Sequence, residues 1–228
     1  MSMLIDLIFP LICLHCEAEV EESKQLFCKG CSPSFELIDP TSRCVFCFNE
    51  MENQKVCAEC KINRRPRLKM ASALDYLGAV CSLVKNLKDG KLPYLAQTAA
   101  AFMVAQLIRL DWPTPDIIVP VPNRNGFFST DHAQLIAQDL ARRLNKPCQS
   151  LIKRRLGDLS QARLSKKQRS QLPADSFYLK KGTVLDGKLI LLVDDVLTTG
   201  STLHNCFQAL SEAFPAQTYA LTLARTII

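Results

Sequence analysis

The stretch that decides the fold is LILLVDDVLTTGSTL, residues 189–203. Its first five residues, 189–193, are aliphatic, and a short apolar run of this kind predicts a buried parallel strand. Asp194 and Asp195 follow at once, and a turn of small hydroxyl residues then leads into an apolar-periodic helix. In an open α/β sheet, ligands bind at the carboxyl ends of the strands, so this turn is where we expect the functional site.

The turn after the two acids predicts an anion site. Its residues are Thr198, Thr199, Gly200, Ser201 and Thr202. Their backbone N–H groups and four hydroxyls lie at a helix N-terminus, where the helix dipole favours negative charge. A phosphate fits that position, whereas the carboxylates of Asp194 and Asp195 would repel it and need hydroxyls or a cation. A phosphorylated sugar supplies both a phosphate for the turn and hydroxyls for the two acids.

The whole stretch resembles a known ligand-binding loop. A solvated Asp-Asp turn before an ordinary helix cap is the plainer interpretation, and the strand–turn–helix context disfavours it. Residues 189–203 resemble the phosphoribosyl-pyrophosphate (PRPP) loop of type I phosphoribosyltransferases. The resemblance implies that Asp194 and Asp195 bind the ribose 2′- and 3′-hydroxyls and that residues 198–202 bind the 5′-phosphate. Purine-salvage members carry an acid where this chain has Thr198, which disfavours purine salvage.

Eight of the eleven cysteines form four C-x-x-C pairs within the first sixty residues. Two such pairs complete a tetrahedral zinc site, and the repeated spacing predicts a duplicated zinc ribbon with two structural Zn²⁺ ions. Consecutive pairs would share an ion, but a crossed arrangement has similar loop lengths and stays open. Redox chemistry is disfavoured because the pairs lack a βαβ context. The predicted ligands are Cys13, Cys16, Cys28, Cys31, Cys44, Cys47, Cys57 and Cys60.

Length and composition bound the class of protein. The 228 residues, 48% of them hydrophobic, can form one α/β domain and a small appendage. A formal charge of +6 permits binding to a polyanion. The apolar run at residues 3–14 lacks a basic flank and is interrupted by Asp6 and Pro10, which disfavours a signal peptide or membrane insertion. We expect a cytoplasmic protein, in which paired cysteines bind metal.

The body of the chain alternates strand and helix patterns, which predicts a mainly parallel sheet with helices on both faces. Predicted strands cover residues 71–76, 117–121, 189–193 and 217–223, with a further short strand at 150–152, and predicted helices cover 80–87, 95–110 and 131–144. A basic insert, residues 153–181, is either a solvated loop or a flap that closes on an anionic ligand. We expect an α/β, type I phosphoribosyltransferase-like domain in residues 66–228 and a four-cysteine zinc-ribbon module in residues 1–65.

Over nearly its whole length the chain resembles the ComF family of competence proteins. The order of zinc ribbons, a V-P-V-P strand exit at residues 119–122, the basic insert and D-D-V-x-T-T-G carries the resemblance. It implies a cytoplasmic protein that handles incoming single-stranded DNA in natural transformation, with a helicase and DNA-loading proteins as partners. The chain departs from the family at residues 128–132, where the family has Arg-Gly-Phe-Asn-Gln, and at Leu172, where it has Asn.

The resemblances leave three functions open. The first is a protein with a PRPP pocket that binds single-stranded DNA along a basic track. The second is an active phosphoribosyltransferase, which would displace pyrophosphate from PRPP through an oxocarbenium-like state, with Mg²⁺ bridging pyrophosphate and ribose oxygens. Candidate pyrophosphate contacts are Arg124, Arg154 and Arg155, and no pattern indicates a general base. The third is a zinc-ribbon adaptor with a vestigial pocket.

Overall fold

The computed structural model describes residues 12–20, 25–51, 55–62, 68–89, 92, 94–123, 131–154 and 177–227. The strands are β1 (Lys69–Asp75), β2 (Ile117–Pro120), β3 (Ile152–Arg154), β4 (Phe177–Leu179), β5 (Leu189–Leu197) and β6 (Gln217–Arg225). The α-helices are α1 (Ala58–Ile62), α2 (Gly78–Lys88), α3 (Leu95–Arg109), α4 (His132–Leu144) and α5 (Ser201–Ser211). Two short 3-10 turns, Ser32–Phe35 and Pro40–Ser42, lie in the cysteine-rich segment.

The core of the fold is a four-stranded parallel sheet in the order β1-β6-β5-β2. β5 is central and nearly continuous in apolar residues because both of its faces are covered, which is usual for a parallel strand. It is longer than predicted: it pairs with β6 as far as Leu197 and Arg225. Asp194 and Asp195 therefore lie inside the strand rather than beyond its end.

The helices follow the predicted apolar periodicity. α3 buries Ala96, Ala99, Ala100 and Met103, and it packs against α4 and the sheet. α4 begins after Asp131, whose side chain accepts the Gln134 N–H at 3.0 Å, as an N-cap does. No helix among the described residues combines the length and apolar character needed to cross a membrane.

The two ends of the predicted basic insert form an antiparallel strand pair, β3 with β4. This pairing was not predicted, because three-residue strands are too short to give an alternating signal. It forms because Ile152 and Phe177 are buried in the core, and α5 packs against it. The insert between them, residues 155–176, lies outside the described residues.

The cysteine-rich segment is attached to the edge of the sheet at β1. The Ile38 N–H donates to the Ala73 carbonyl at 3.0 Å, and Leu37 pairs with Leu74 in an antiparallel bridge. From α3, the fully buried Gln106 donates its side-chain amide to the Ile38 carbonyl at 2.9 Å. These contacts cover a sheet edge that would otherwise be open. The predicted division between residues 65 and 66 stays a prediction, since residues 63–67 lie outside the described ranges.

Candidate functional site

The two acids of β5 face opposite sides of the sheet, because successive side chains on a strand alternate. Asp195 is 5% exposed and faces the helices α2 and α4. Its Oδ2 lies 3.1 Å from Lys88 Nζ and 2.9 Å from His132 Nε2. Asp194 lies on the α5 side: burial raises the pKa of the Cys206 thiol on that helix, and the charge of the nearby Asp194 raises it further. The Oδ1 of Asp194 accepts the Asp195 N–H at 2.9 Å.

The surroundings push the pKa values of the two acids apart. Burial and the negative charge of Asp195 raise the pKa of Asp194 to about 7. Burial alone would raise the pKa of Asp195, but the hydrogen bond to His132 and the charge of Lys88 lower it below its ordinary value. The hydrogen bond to Asp195 in turn raises the pKa of His132. Pairs of acids with divergent pKa values are typical of functional sites.

The raised pKa of Asp194 predicts a pH-dependent stability difference. A carboxyl whose pKa is higher in the folded state loses stabilisation as pH rises from about 4, its unfolded value, to about 7. We expect Asp194→Asn to be more stable than wild type at pH 8, by more than about 1 kcal/mol. At pH 4 the two proteins should differ little. Urea unfolding at both pH values measures this, with the exposed Asp186→Asn as the control. An equal stability difference at both pH values would contradict the raised pKa of Asp194.

The residues predicted to bind phosphate, 198–202, lie in the turn before α5 and in the first two positions of that helix. Gly200 precedes the helix with φ +74°, a conformation that favours glycine. The Thr199 and Ser201 hydroxyls lie 2.9 Å apart, and the His204 N–H donates to the Gly200 carbonyl at 2.9 Å. Thr198 and Thr199 are exposed, and Ser201 and Thr202 are half-buried. The loop thus presents hydroxyls and a helix N-terminus to solvent beside the two acids.

Gly200 is held against the side chain of Met70 on β1. A Cβ at position 200 would lie 3.0 Å from both Sδ and Cε of Met70, too close for an unshifted side chain. The Met70 N–H donates to the Phe46 carbonyl at 3.0 Å, and Phe46 lies between Cys44 and Cys47. The loop is therefore connected, through one residue of β1, to the cysteine-rich segment.

The eight cysteines predicted to bind metal form two separate clusters. One contains Cys13, Cys16, Cys28 and Cys31, and the other contains Cys44, Cys47, Cys57 and Cys60. The sulfurs within each cluster all lie within 4.8 Å of one another. Four thiolates on one Zn²⁺ at about 2.3 Å would lie about 3.8 Å apart, so each cluster has the donor set and size for one zinc ion. The pairs are used consecutively, and the crossed arrangement is not the one that forms.

The thiol pKa values within each cluster are also divergent. Burial opposes ionisation, but backbone N–H groups lower the pKa of Cys13 to about 6 and that of Cys44 to about 7. Burial and the neighbouring thiols raise the pKa of Cys31 to about 12. Side-chain hydrogen bonds with Cys16 and Cys31 also lower the pKa of Cys28 in the first cluster. A lowered thiol pKa favours the thiolate, which is the form that binds a metal ion.

The predicted pyrophosphate contacts are described only in part. Arg154 ends β3, and its guanidinium carbon lies 5.1 Å from the centre of the Phe177 ring, a cation–π contact. Arg124 and Arg155 lie outside the described residues. Sequence reasoning missed Lys88 and His132 as site residues. The available signal was their position, since one ends the helix after β1 and the other begins the helix after the β2 loop.

Comparison with known proteins gives matches of sequence and of fold. The phosphoribosyl transferase domain family matches residues 94–226. Competence protein F of Haemophilus influenzae is 27% identical over 234 residues, which cover 95% of this chain and 98% of that protein. DNA utilization protein YhgH of Escherichia coli K12 is 27% identical over 184 residues, which cover 75% of this chain and 78% of that protein.

Solved structures of phosphoribosyltransferases also match. Adenine phosphoribosyltransferase from Thermoanaerobacter pseudethanolicus aligns with 60% of this chain and 83% of its own, with 17% identity and a TM-score of 0.39. Glutamine PRPP amidotransferase from Bacillus subtilis aligns with 55% of this chain and 25% of its own, with 21% identity and a TM-score of 0.39. The family match and the parallel sheet confirm the predicted fold class, and the curated relatives confirm the resemblance to competence proteins.

Proposed function

The chain belongs to the phosphoribosyl transferase domain family, and on that premise we propose that it is a ComF-like protein that handles incoming single-stranded DNA in natural transformation. Its pocket at the end of β5 binds a ribose phosphate, with PRPP as the expected ligand. Two relatives support the DNA role by name, as a competence protein and a DNA utilization protein. The observation that carries the pocket is the arrangement of two acids directly before a hydroxyl-rich helix N-terminus.

The arrangement suits the two ends of a ribose 5-phosphate. The phosphate binds the N–H groups and hydroxyls of residues 198–202, where the helix dipole favours it. Asp194 and Asp195 accept hydrogen bonds from the ribose hydroxyls. Lys88 and His132 both contact Oδ2 of Asp195, which leaves Oδ1 for a sugar hydroxyl. Mg²⁺ bound together with PRPP would supply positive charge to offset the negative charge of the pyrophosphate, and Arg124, Arg154 and Arg155 are the proposed contacts on that side.

The cysteine clusters hold two structural zinc ions in this proposal. Each ion contributes on the order of 10 kcal/mol to the folding of its ribbon. We expect the basic linker, residues 61–67, and the basic insert, residues 153–181, to serve as a track for single-stranded DNA in the cytoplasm, where a helicase and DNA-loading proteins are the expected partners. A formal charge of +6 supports the track, because phosphate contacts dominate the affinity for nucleic acids.

Separate binding measurements test the two halves of this proposal. We expect wild type to bind ribose 5-phosphate in calorimetry and a labelled single-stranded oligonucleotide in anisotropy. Asp194→Asn/Asp195→Asn should weaken ribose 5-phosphate binding more than tenfold, because both hydroxyl acceptors lose their charge, and should leave DNA affinity within about twofold. DNA affinity should fall steeply as salt rises.

Asp116→Asn/Asp186→Asn changes the net charge equally at the opposite end of β5 and serves as the control. If wild type fails to bind ribose 5-phosphate, the pocket proposal is wrong. If DNA binding is absent, or is lost only in the variant of the two pocket acids, an independent DNA track is wrong. Pyrophosphate release from PRPP with nucleobase or amine acceptors would instead favour the alternative function, an active phosphoribosyltransferase.

A further inference from the structure

We propose that His132 is a positioning residue for Asp195 and makes ribose-phosphate binding depend on pH, with affinity falling as His132 loses its proton. The inference rests on the proposed function of the pocket and adds a residue outside the PRPP loop.

The contact geometry fixes the orientation of Asp195. His132 Nε2 lies 2.9 Å from Asp195 Oδ2, and Lys88 Nζ approaches the same oxygen at 3.1 Å from another helix. Two cationic groups within ion-pair distance of one oxygen hold the carboxylate on the side of α2 and α4. The side chains of Asp195 and His132 are only 7% and 17% exposed, so solvent competes little for the contact.

The position of His132 is itself fixed by the start of α4. It is the first residue of the helix, directly after the capping residue Asp131. Its second ring nitrogen, Nδ1, is buried and has no hydrogen-bond partner within the described part of the chain. The contact with Asp195 is therefore the one in the described structure that sets the orientation of the ring.

The charges of four titratable groups set the electrostatic balance around His132. His132 contacts Asp195 on β5 and lies near Lys88 on α2, and the charge of Asp194 acts on it from the other face of the sheet. The positive end of the α4 dipole opposes its protonation. The contact with Asp195 outweighs burial and Lys88, so the pKa of His132 is raised. With the proton bound, His132 and Lys88 both offset the negative charge of the acids. Without it, only Lys88 does so, and the acids repel an anionic ligand.

The sign of the pH dependence follows from this balance. A ligand phosphate adds negative charge beside the pocket, so it binds best while His132 is protonated, and affinity falls as pH rises through the pKa of His132. Asp194, whose pKa is raised to about 7, contributes in the same direction. Only a comparison with a variant that lacks the histidine charge isolates the His132 contribution.

His132→Gln keeps a side-chain donor and removes the titrating charge. Calorimetry with ribose 5-phosphate from pH 6 to 8.5 should show wild type binding about fivefold tighter than His132→Gln at pH 6, with the two converging at pH 8.5. The ratio of affinities cancels the ionisation of the ligand. His15→Gln, which contacts Ser82 on α2 instead, should keep the wild-type profile. His132→Ala should bind more weakly at every pH because the carboxylate is no longer held.

A second measurement needs no ligand. The chain has three histidines, so NMR titration of the ring resonances can assign the His132 pKa, and Asp195→Asn should lower it. An affinity ratio that stays constant with pH, or a His132 pKa that does not respond to Asp195→Asn, would overturn the inference. If no variant binds ribose 5-phosphate while the pKa does respond, the proposed function fails and the pH-dependent binding fails with it, although the contact itself is established.

Discussion

Gly200→Ala is expected to weaken ribose 5-phosphate binding by more than tenfold. Two effects combine at this position. The φ of +74° costs a residue with a Cβ about 1–2 kcal/mol, and the new Cβ would lie 3.0 Å from the Met70 side chain. Because Met70 is almost fully buried, it cannot move away freely, and the loop shifts instead. The shift moves the N–H groups and hydroxyls of residues 198–202 out of register with a phosphate.

Gly182→Ala is the matched control for this experiment. Gly182 has φ +78°, nearly the same backbone conformation, and a Cβ there meets nothing within 4 Å. Both variants should lose similar stability from backbone strain, as measured by thermal unfolding, but only Gly200→Ala should lose ligand affinity. Equal affinities in the two variants would show that the 198–202 loop does not bind the phosphate.

Removing the second cysteine cluster is expected to have the other large effect. Cys57→Ser/Cys60→Ser should reduce zinc content from two ions per chain to one, lower the melting temperature sharply and weaken ribose 5-phosphate binding. Loss of a structural zinc site removes on the order of 10 kcal/mol from the folding of its ribbon. Zinc content is measured by metal analysis and ligand binding by calorimetry.

The effect on the ligand follows from what the second cluster holds in place. The Phe46 carbonyl accepts the Met70 N–H at 3.0 Å, and the Cys47 carbonyl accepts a guanidinium N–H of Arg225 at 2.6 Å. Met70 contacts the Gly200 position, and Arg225 pairs with Leu197 immediately before the loop. Without its metal ion, the second cluster would no longer hold the Phe46 and Cys47 carbonyls in place, and the hydrogen bonds to Met70 and Arg225 would be lost.

The first cluster provides the matched control. It contacts α2, through the hydrogen bond between His15 and Ser82 and the close approach of Ser34 to Gly78. Both contacts lie in the first half of α2, away from Lys88 at its end, so Cys28→Ser/Cys31→Ser should also lose one zinc ion but keep ribose 5-phosphate affinity within about twofold. If both variants weaken binding equally, the 198–202 loop depends on the whole cysteine-rich segment, and not specifically on the contacts of Met70 and Arg225.

Local patterns were sufficient to predict the strand, loop and helix around Gly200 and the set of cysteines that form the two clusters. The apolar run of β5, the hydroxyl turn and the C-x-x-C spacing are each signals within a few residues. Strand length was harder to predict, because Asp194 and Asp195 interrupt the apolar run that defines a buried strand. Pairing with β6 continues past them, and that depends on a partner elsewhere in the chain.

Contacts between distant elements were beyond sequence reasoning. Lys88 and His132 meet at one oxygen of Asp195 only because α2 and α4 both pack beside β5, and neither has a local signal. The choice between consecutive and crossed cysteine pairs also depended on the fold, since the loop lengths were similar. The attachment of Ile38 to the edge of the sheet at β1 is likewise a contact between distant parts of the chain that no local pattern predicts.

The central claim is that residues 198–202 bind the phosphate of a sugar phosphate while the adjacent acids bind its hydroxyls. An NMR titration of the labelled, zinc-loaded protein with ribose 5-phosphate tests it most directly, with ribose and inorganic phosphate as separate ligands. We predict saturable amide shifts at Thr198–Thr202 and at Asp194 and Asp195, with inorganic phosphate moving only the first group and only at higher concentration. Shifts confined to other parts of the chain, or no saturable shifts at all, would contradict the claim.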